Sequence, residues 1–136
     1  MVGTKNKPTF VGPHEGRELE LMTAGTKPLS MFVDSIPRDF ECFAEEEFDA
    51  LVSQGKLVKK VTVEDVINSI GEKSQIRRTL YALPNERWRI DAVLMLQGLY
   101  DSLPKGWHPD LDRAIGLLLG YNRSDIEDFL KWRDRA

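Results

Sequence analysis

The stretch Leu-Val-Lys-Lys-Val-Thr-Val, residues 57–63, is rich in β-branched side chains and follows Gly55 closely. A second stretch, QIRRTLYAL at residues 75–83, alternates weakly between polar and apolar positions and ends at Pro84. A third, KPLSMFVD at residues 27–34, is largely apolar and precedes Pro37. Because β-branched and aromatic residues favour strands and turn residues bound them, we expect three extended segments.

Helices are predicted around these segments, since apolar residues recur there at helical spacing beside capping and turn residues. Between the extended segments at 57–63 and 75–83, Glu64–Ile70 is predicted as a short helix closed by Gly71. Asn85 can cap the longest helix, and Ser124 to Glu127 fits a capping box. The other predicted helices cover residues 14–24, 44–54, 86–102, 109–119 and 124–133.

This order of elements predicts an α+β fold: a small, mainly antiparallel sheet flanked by helices, with a C-terminal helical subdomain. A chain of 136 residues is long enough for one domain with one core. We expect a single domain over 1–136, with a flexible tail at 1–7, a mixed α/β part at 8–83 and a helical part at 85–135.

The composition excludes some classes of protein. No apolar run approaches the roughly 20 residues that span a bilayer, which argues against a membrane protein. The single cysteine, Cys42, excludes an internal disulfide, and no signal peptide is visible, so we expect a cytoplasmic protein. Cys42 lies between aromatic residues and beside a carboxylate, and is interpreted as a core residue rather than a nucleophile.

Charge argues against nucleic acid as the partner. The net charge is −3, with ten acidic against five basic residues over 1–54 and a basic excess only over 55–107. A nucleic-acid binder usually carries a basic excess, because neutralising phosphates supplies much of its affinity. The basic middle is therefore interpreted as a solvated face with mixed charges.

The residues from Gly116 to Phe129 resemble a helix-turn-helix unit, with a small residue on the first helix, Gly120 in the turn and Ile126 six residues beyond. The resemblance implies a DNA-binding regulator, and this is the second alternative function. However, a recognition helix meets the phosphates with its N-terminal half. That half carries the carboxylates of Asp125, Glu127 and Asp128, which would repel phosphates. The pattern therefore favours a structural helical hairpin.

A turn rich in charge precedes the first predicted helix. His14, Glu15 and Arg17 are the candidate catalytic residues, since imidazole can transfer protons and a helix start attracts anions. Folding could complete an anion-binding set with basic residues from elsewhere in the chain. The full set is His14, Arg17, Lys27, Arg77 and Arg78. The alternative is an ordinary helix start in which the glutamate suits the helix dipole.

Metal and cofactor sites are not predicted. The two histidines, His14 and His108, and the single cysteine show no ligand spacing, so we expect no metal and no cofactor. The acidic run at Glu45–Glu47 and Asp49 lies in a first helical turn, where the helix dipole accounts for it.

The three tryptophans suggest where a partner would bind. Trp88 is interpreted as a core residue, on or beside the inner face of the long helix with Leu99 and Leu103. Aromatic residues beside basic ones are enriched at protein interfaces. The predicted partner-binding residues are Trp107, Arg123, Lys131 and Trp132, and exposure of the two tryptophans would also allow a homodimer.

These observations favour a small cytoplasmic regulatory or inhibitory protein that binds a protein partner and is not a catalyst. The first alternative is a small enzyme or ligand-binding protein with an anionic-ligand site at the helix start from His14 to Arg17. A concave pocket containing both side chains would favour this alternative.

Overall fold

The computed structural model describes residues 14, 16–37, 42–67 and 70–135. Within them the chain forms a three-stranded antiparallel sheet with helices against both faces, which confirms the predicted α+β fold. The predicted tail at residues 1–7 and the candidate residue Glu15 lie outside the described residues.

The sheet consists of β1 (Leu29–Ile36), β2 (Val58–Ile67) and β3 (Lys73–Ala82), in the order β1-β3-β2. β3 is central, and its Ala82 pairs with Leu29 on one side and Val58 on the other. All three predicted extended segments are therefore strands. β1 and β2 each continue a few residues beyond their predicted ends.

The predicted helix over Glu64–Ile70 is wrong, because β2 continues through this segment as far as Ile67. Glu64 pairs across the ladder with Ile76, and its carboxylate accepts hydrogen bonds from Arg78. Partly buried and exposed residues alternate along it, the period of a strand. The long ladder of the β2–β3 hairpin outweighs the local helical preference of the segment.

Two helices cover one face of the sheet: α1 (Glu18–Thr23) and α2 (Glu45–Ser53). α1 is shorter than the predicted 14–24, and Gly25 follows it at φ 77°, the left-handed conformation that glycine favours at a helix end. The core on this face is dominated by stacked and edge-on aromatic rings: Phe32, Phe43, Phe48 and Tyr81.

Three helices follow on the other face: α3 (Trp88–Ser102), α4 (Pro109–Leu118) and α5 (Arg123–Arg135). α3 packs against β3 and α4, and α4 packs against α5. The core here is aliphatic, and its buried members are Leu29, Leu80, Ala82, Ile90, Val93 and Ile115. The C-terminal helical part is thus present, with a short 3-10 turn at Pro84–Glu86 before α3.

Two predicted caps differ from the structure. The 3-10 turn takes up Asn85, so α3 begins only at Trp88. At α5, the Asn122 side-chain oxygen accepts a hydrogen bond from the Asp125 amide at 2.8 Å. The predicted capping box is wrong because Ser124 already lies inside α5 and the Glu127 carboxylate instead binds Arg113.

The α4–α5 hairpin packs as its glycine pattern indicates. Gly116 is buried, and a Cβ atom there would lie 3.0 Å from the side chain of Ile126. Gly120 lies in the connection at φ 91°. The small residue and the glycine turn therefore serve close helix–helix packing, which any helical hairpin requires.

Candidate functional site

Lys27 is the most deeply buried charged residue of the described chain, with 3% of its surface exposed. Its Nζ atom lies 2.9 Å from His14 Nδ1 and 2.5 Å from the carbonyl oxygen of Leu119, to which it donates. It also lies 4.7 Å from the centre of the Tyr121 ring, on which His14 is stacked. We call these four residues the Lys27 corner.

Backbone geometry brings this corner together. The turn at Gly25 leads the chain into Lys27 and Pro28, directly before β1. On the opposite side, Gly120 approaches so closely that a Cβ atom would lie 2.6 Å from Pro28 Cδ. The corner therefore joins the start of the sheet to the carboxyl end of α4, where carbonyl oxygens attract a cation.

Burial controls the electrostatics of the corner. Desolvation lowers the pKa of Lys27 to about 8, although the nearby Glu18 carboxylate opposes the shift. Desolvation, followed by the charge of Lys27, lowers the pKa of His14 to about 4. Lys27 is therefore charged and His14 neutral at pH 7. Since an ammonium group only donates hydrogen bonds, His14 Nδ1 accepts one here.

The other predicted anion-binding residues have carboxylate partners elsewhere. Arg17 is exposed and forms an ion pair with Glu20 at 2.8 Å. Arg77 pairs with Glu45 beside α2, whereas its neighbour Arg78 donates to Glu64 at 2.8 Å. Adjacent residues of a strand point to opposite faces, so these two guanidinium groups diverge. Of the predicted set, side-chain contacts join His14 to Lys27, and the Arg17 amide donates a hydrogen bond to the His14 carbonyl oxygen at 2.9 Å.

The carboxylates of α2 do more than complement the helix dipole. Glu45 binds both Arg77 and Lys59, and these hydrogen bonds lower its pKa to about 2. Asp49 accepts a hydrogen bond from the Tyr81 hydroxyl at 2.8 Å and pairs with Lys59 at the same distance. Burial and this hydrogen bond raise the pKa of Tyr81. We call these five residues the α2 network.

Cys42 is exposed, so its interpretation as a core residue is wrong. The next residue, Phe43, is 8% exposed and supplies the core contact immediately before α2. In the part of the chain that the structure describes, no three His, Cys, Asp or Glu side chains lie together as metal ligands. Nor does any described helix combine the length and apolar character needed to cross a membrane.

The predicted partner-binding residues differ in exposure. Trp107 is 45% exposed, and Arg123 and Lys131 are also exposed. Trp132 is partly buried, with its ring centre 5.9 Å from that of Phe129. The common role of these four residues in binding a partner stays a prediction.

Trp88 is 55% exposed, so its placement in the core is wrong. Ile90 and Val93 form the buried side of α3 instead. Trp88 begins a row of apolar residues at intervals of four, three, four and four residues, which lie on one side of a helix. We call this row the α3 stripe; its members are Trp88, Ala92, Met95 and Leu99 on the helix, and Leu103 directly after its last residue.

Four of the five residues of the α3 stripe are exposed to solvent. Met95 is 70% exposed, Leu99 47% and Leu103 37%, and Ala92 between them is partly buried. Single apolar residues are normal on a surface, whereas a row of them is less common. The sequence held a signal for it: α3 has more apolar residues than one buried face can use.

No protein-family model, curated protein or solved structure matches this chain. The inferences on its function therefore rest on its own side chains and their geometry.

Proposed function

We propose that this protein is a non-catalytic regulatory or inhibitory protein that acts by binding a protein partner through the α3 stripe. The observation that carries the proposal is the exposure of Trp88, Met95 and Leu99 on one side of a helix whose other side forms the core. Exposed apolar side chains at helical spacing suit a partner that presents an apolar helix of its own.

The surroundings of the stripe support a protein partner rather than a small ligand. Arg89 lies at one end, with its guanidinium 4.9 Å from the Trp88 ring and hydrogen-bonded to the carbonyl oxygens of Leu117 and Leu118. Tryptophan and arginine are the residues most enriched among those that dominate binding energy at interfaces. The stripe lies on the solvent-exposed side of a helix, whereas small ligands favour concave pockets.

The Lys27 corner favours the same conclusion. A catalytic or anion-binding amine needs access to its ligand, but Lys27 is buried and its ammonium group already has two hydrogen-bond acceptors and a ring. These contacts support a structural role for His14 and Lys27. The partner-binding role of Trp107, Arg123, Lys131 and Trp132 remains part of the proposal, as a second region that the same experiment tests.

The test compares affinity-tagged baits in lysate of the source organism, with bound proteins identified by mass spectrometry. We expect a stoichiometric partner with the wild type and its loss with Leu99→Asp, because a carboxylate on the stripe would be buried without a partner. The purified partner should then bind the wild type, and not the variant, in a direct titration.

A double variant, Lys131→Glu with Trp132→Ala, tests the α5 residues, and Asp128→Lys is the matched control on an exposed site of the same helix. Circular dichroism verifies that each variant is folded. Loss of the partner only in the α5 variant would move the interface to α5. Unchanged capture with Leu99→Asp would contradict binding through the α3 stripe.

A further inference from the structure

We propose that β2 pairs along its outer edge with β2 of a second copy of this chain, antiparallel and centred on Thr62, so that two three-stranded sheets join into one sheet of six strands. This contact lies apart from the α3 stripe and does not depend on the proposed function. A two-fold contact must be self-complementary, because the same patch meets itself in reverse. β2 meets this requirement in its backbone, in its charges and in its exposed valines.

The backbone of β2 forms a long and regular edge. Within the described residues the sheet has the order β1-β3-β2, so β3 flanks β2 on one side and no strand flanks it on the other. The register with β3 continues without a bulge from Val58 to Ile67, and these ten residues include neither proline nor glycine. Edge strands are usually short or interrupted, because their open amide and carbonyl groups are a template for pairing with another strand. The outer edge of β2 is therefore suited to continue the sheet.

The charges of β2 are opposite in sign at equal distances from its centre. From its second to its eighth residue the strand reads KKVTVED, with Thr62 in the middle. A reversed copy centred on Thr62 brings Lys60 of each chain opposite Glu64 of the other, and Lys59 opposite Asp65. The two members of each pair are an even number of residues apart, so they lie on the same face, as side chains paired across strands require. Opposite charges directly across two strands are favourable, whereas a parallel copy in register would set lysine against lysine.

Each of these pairs joins an exposed side chain to one that is held within its own chain. Lys60 is half exposed, and its 3.3 Å contact is with an exposed carboxylate of α3. Its proposed partner Glu64 is fixed by two hydrogen bonds from Arg78. Asp65 is exposed and accepts one hydrogen bond, from an amide of β3, whereas its proposed partner Lys59 is held by the two carboxylates of the α2 network. Because one member of each pair is already positioned, less conformational freedom is lost when the pair forms.

The valines of β2 supply the apolar part of the contact. Val61 is 41% exposed and Val63 56%, and both lie on the same face of the strand as Lys59. In the proposed register Val61 of each copy lies opposite Val63 of the other, so four valine side chains surround the axis. On the other face Val58 and Val66 are opposed in the same way. Pairing therefore removes apolar surface from water in addition to joining the charges.

The other edge strand, β1, lacks this symmetry. Asp34 is its only charged residue, so a reversed copy of β1 offers no cation opposite the carboxylate. A strand of another protein would match the edge of β2 equally well only if it carried the same order of charges. The second copy carries that order by identity, and it is therefore the occupant that the charges select.

The first experiment is a disulfide test of the register in the full chain. Cys42→Ser removes the only native cysteine, and Thr62→Cys is introduced in that background. Residues directly opposed in antiparallel strands have Cα atoms about 4.5–5.5 Å apart, within the range of a disulfide. We expect a covalent dimer on mild oxidation, measured by non-reducing gel electrophoresis.

The matched controls of this test are Val61→Cys and Val63→Cys in the same background. Neither lies opposite its own copy, so each alone should cross-link far less than Thr62→Cys. A mixture of the two should give the covalent heterodimer, because Val61 faces Val63 across the axis. Cross-linking of Val61→Cys alone as readily as Thr62→Cys would overturn the register.

The second experiment is analytical ultracentrifugation of the full chain over a wide range of micromolar concentrations. We expect a reversible monomer–dimer equilibrium for the wild type. Lys60→Glu and Asp65→Lys should each weaken the dimer by about tenfold, since each creates two like-charge contacts across the axis. Asp128→Lys, an exposed charge reversal on α5, is the matched control and should leave the dimer unchanged. Circular dichroism verifies that each variant is folded.

The outcomes separate this inference from the proposed function. Leu99→Asp should leave the dimer intact while it abolishes capture of a partner protein from lysate. A wild type that is monomeric at all concentrations, with no cross-link through Thr62→Cys, would overturn the inference and leave the proposed function standing. A dimer that Lys60→Glu and Asp65→Lys do not weaken but Leu99→Asp dissociates would also overturn it, because the second copy would then lie on the α3 stripe.

Discussion

The cores on the two faces of the sheet are covered by different kinds of outer surface. On the face covered by α1 and α2, the aromatic core ends in the α2 network, where Glu45 and Asp49 bind Arg77, Lys59 and Tyr81. On the other face, the aliphatic core is covered by α3, whose outer side is again apolar. The first face closes with paired charges, and the second presents a further hydrophobic surface.

This difference predicts that one face contributes mainly to stability and the other mainly to binding. Where the polar groups at the edge of a core already form hydrogen bonds, a partner would bury little apolar surface by binding there. Covering an exposed apolar row removes apolar surface from water, and this favours association. We therefore expect substitutions around the α2 network to act mainly on folding. Substitutions on the α3 stripe should act mainly on association.

The largest effect is expected from Phe48→Ala, in the aromatic core. Phe48 is 2% exposed and contacts the rings of Phe43 and Tyr81, so the variant should lose about 3–5 kcal/mol of unfolding free energy. Leu99→Ala, on the stripe, should change it by less than about 0.5 kcal/mol in dilute protein. Urea denaturation measures both. Similar losses in the two variants would remove the distinction between the regions.

A smaller effect is expected from Glu45→Gln, which leaves Arg77 and Lys59 without their shared carboxylate. Hydrogen bonds to charged groups contribute about 1.5–3 kcal/mol, so we expect a loss of that order at pH 7. Glu46→Gln, on an exposed neighbour, is the control.

The stability difference between the wild type and Glu45→Gln should also depend on pH. The pKa of Glu45 is about 2 in the folded chain against an ordinary 4.5. Its contribution is therefore complete above pH 4.5 and is lost as the pH falls toward 2. The stability difference between wild type and Glu45→Gln should shrink over this range. A constant difference would show that the carboxylate's charge is not what stabilises the network.

An effect confined to alkaline pH is expected at the Lys27 corner, outside both regions. The pKa of Lys27 is about 8 in the folded chain against an ordinary 10.5, so the unfolded chain binds more protons between these values. Stability contributed through Lys27 should rise with pH over this window, by at most about 1.4 kcal/mol per pH unit.

Lys27→Met should lack this alkaline rise, measured as the difference from the wild type in denaturant unfolding. It should also raise the pKa of His14, because the neighbouring positive charge is removed while the burial remains. NMR titration of the imidazole protons measures that shift. An unchanged His14 pKa would show that burial alone accounts for its low value.

The elements with strong local signals were predicted well. The strand at 75–83 and the helix at 44–54 carry their periodicity and end at glycine or proline, and both lie within one or two residues of β3 and α2. The predicted helix at 64–70 was wrong because its residues are held by partners on β3, which local preference does not contain. The cap at Asn122 was missed because Ser124 offered an equally good pattern.

The candidate sites were predicted less well than the elements. Lys27, Arg77 and Arg78 were named together as residues that folding could bring to His14. Lys27 does lie beside His14, but Arg77 and Arg78 are neighbours on a strand and point to opposite faces. Trp88 was assigned to the core because a large aromatic residue at helical spacing usually lies there. The exposed apolar residues of α3 could not be identified from the sequence, because this requires knowing which side of the helix faces the sheet.

The sequence by itself determined the α+β class, the five described helices apart from their caps, and the absence of an internal disulfide, because these depend on local spacing and composition. Only the tertiary structure decided the strand order, the ion pairs of the α2 network, the burial of Lys27 and the exposure of the α3 stripe. Each of these depends on contacts between residues far apart in the chain, and periodicity within one element carries no information about its neighbours.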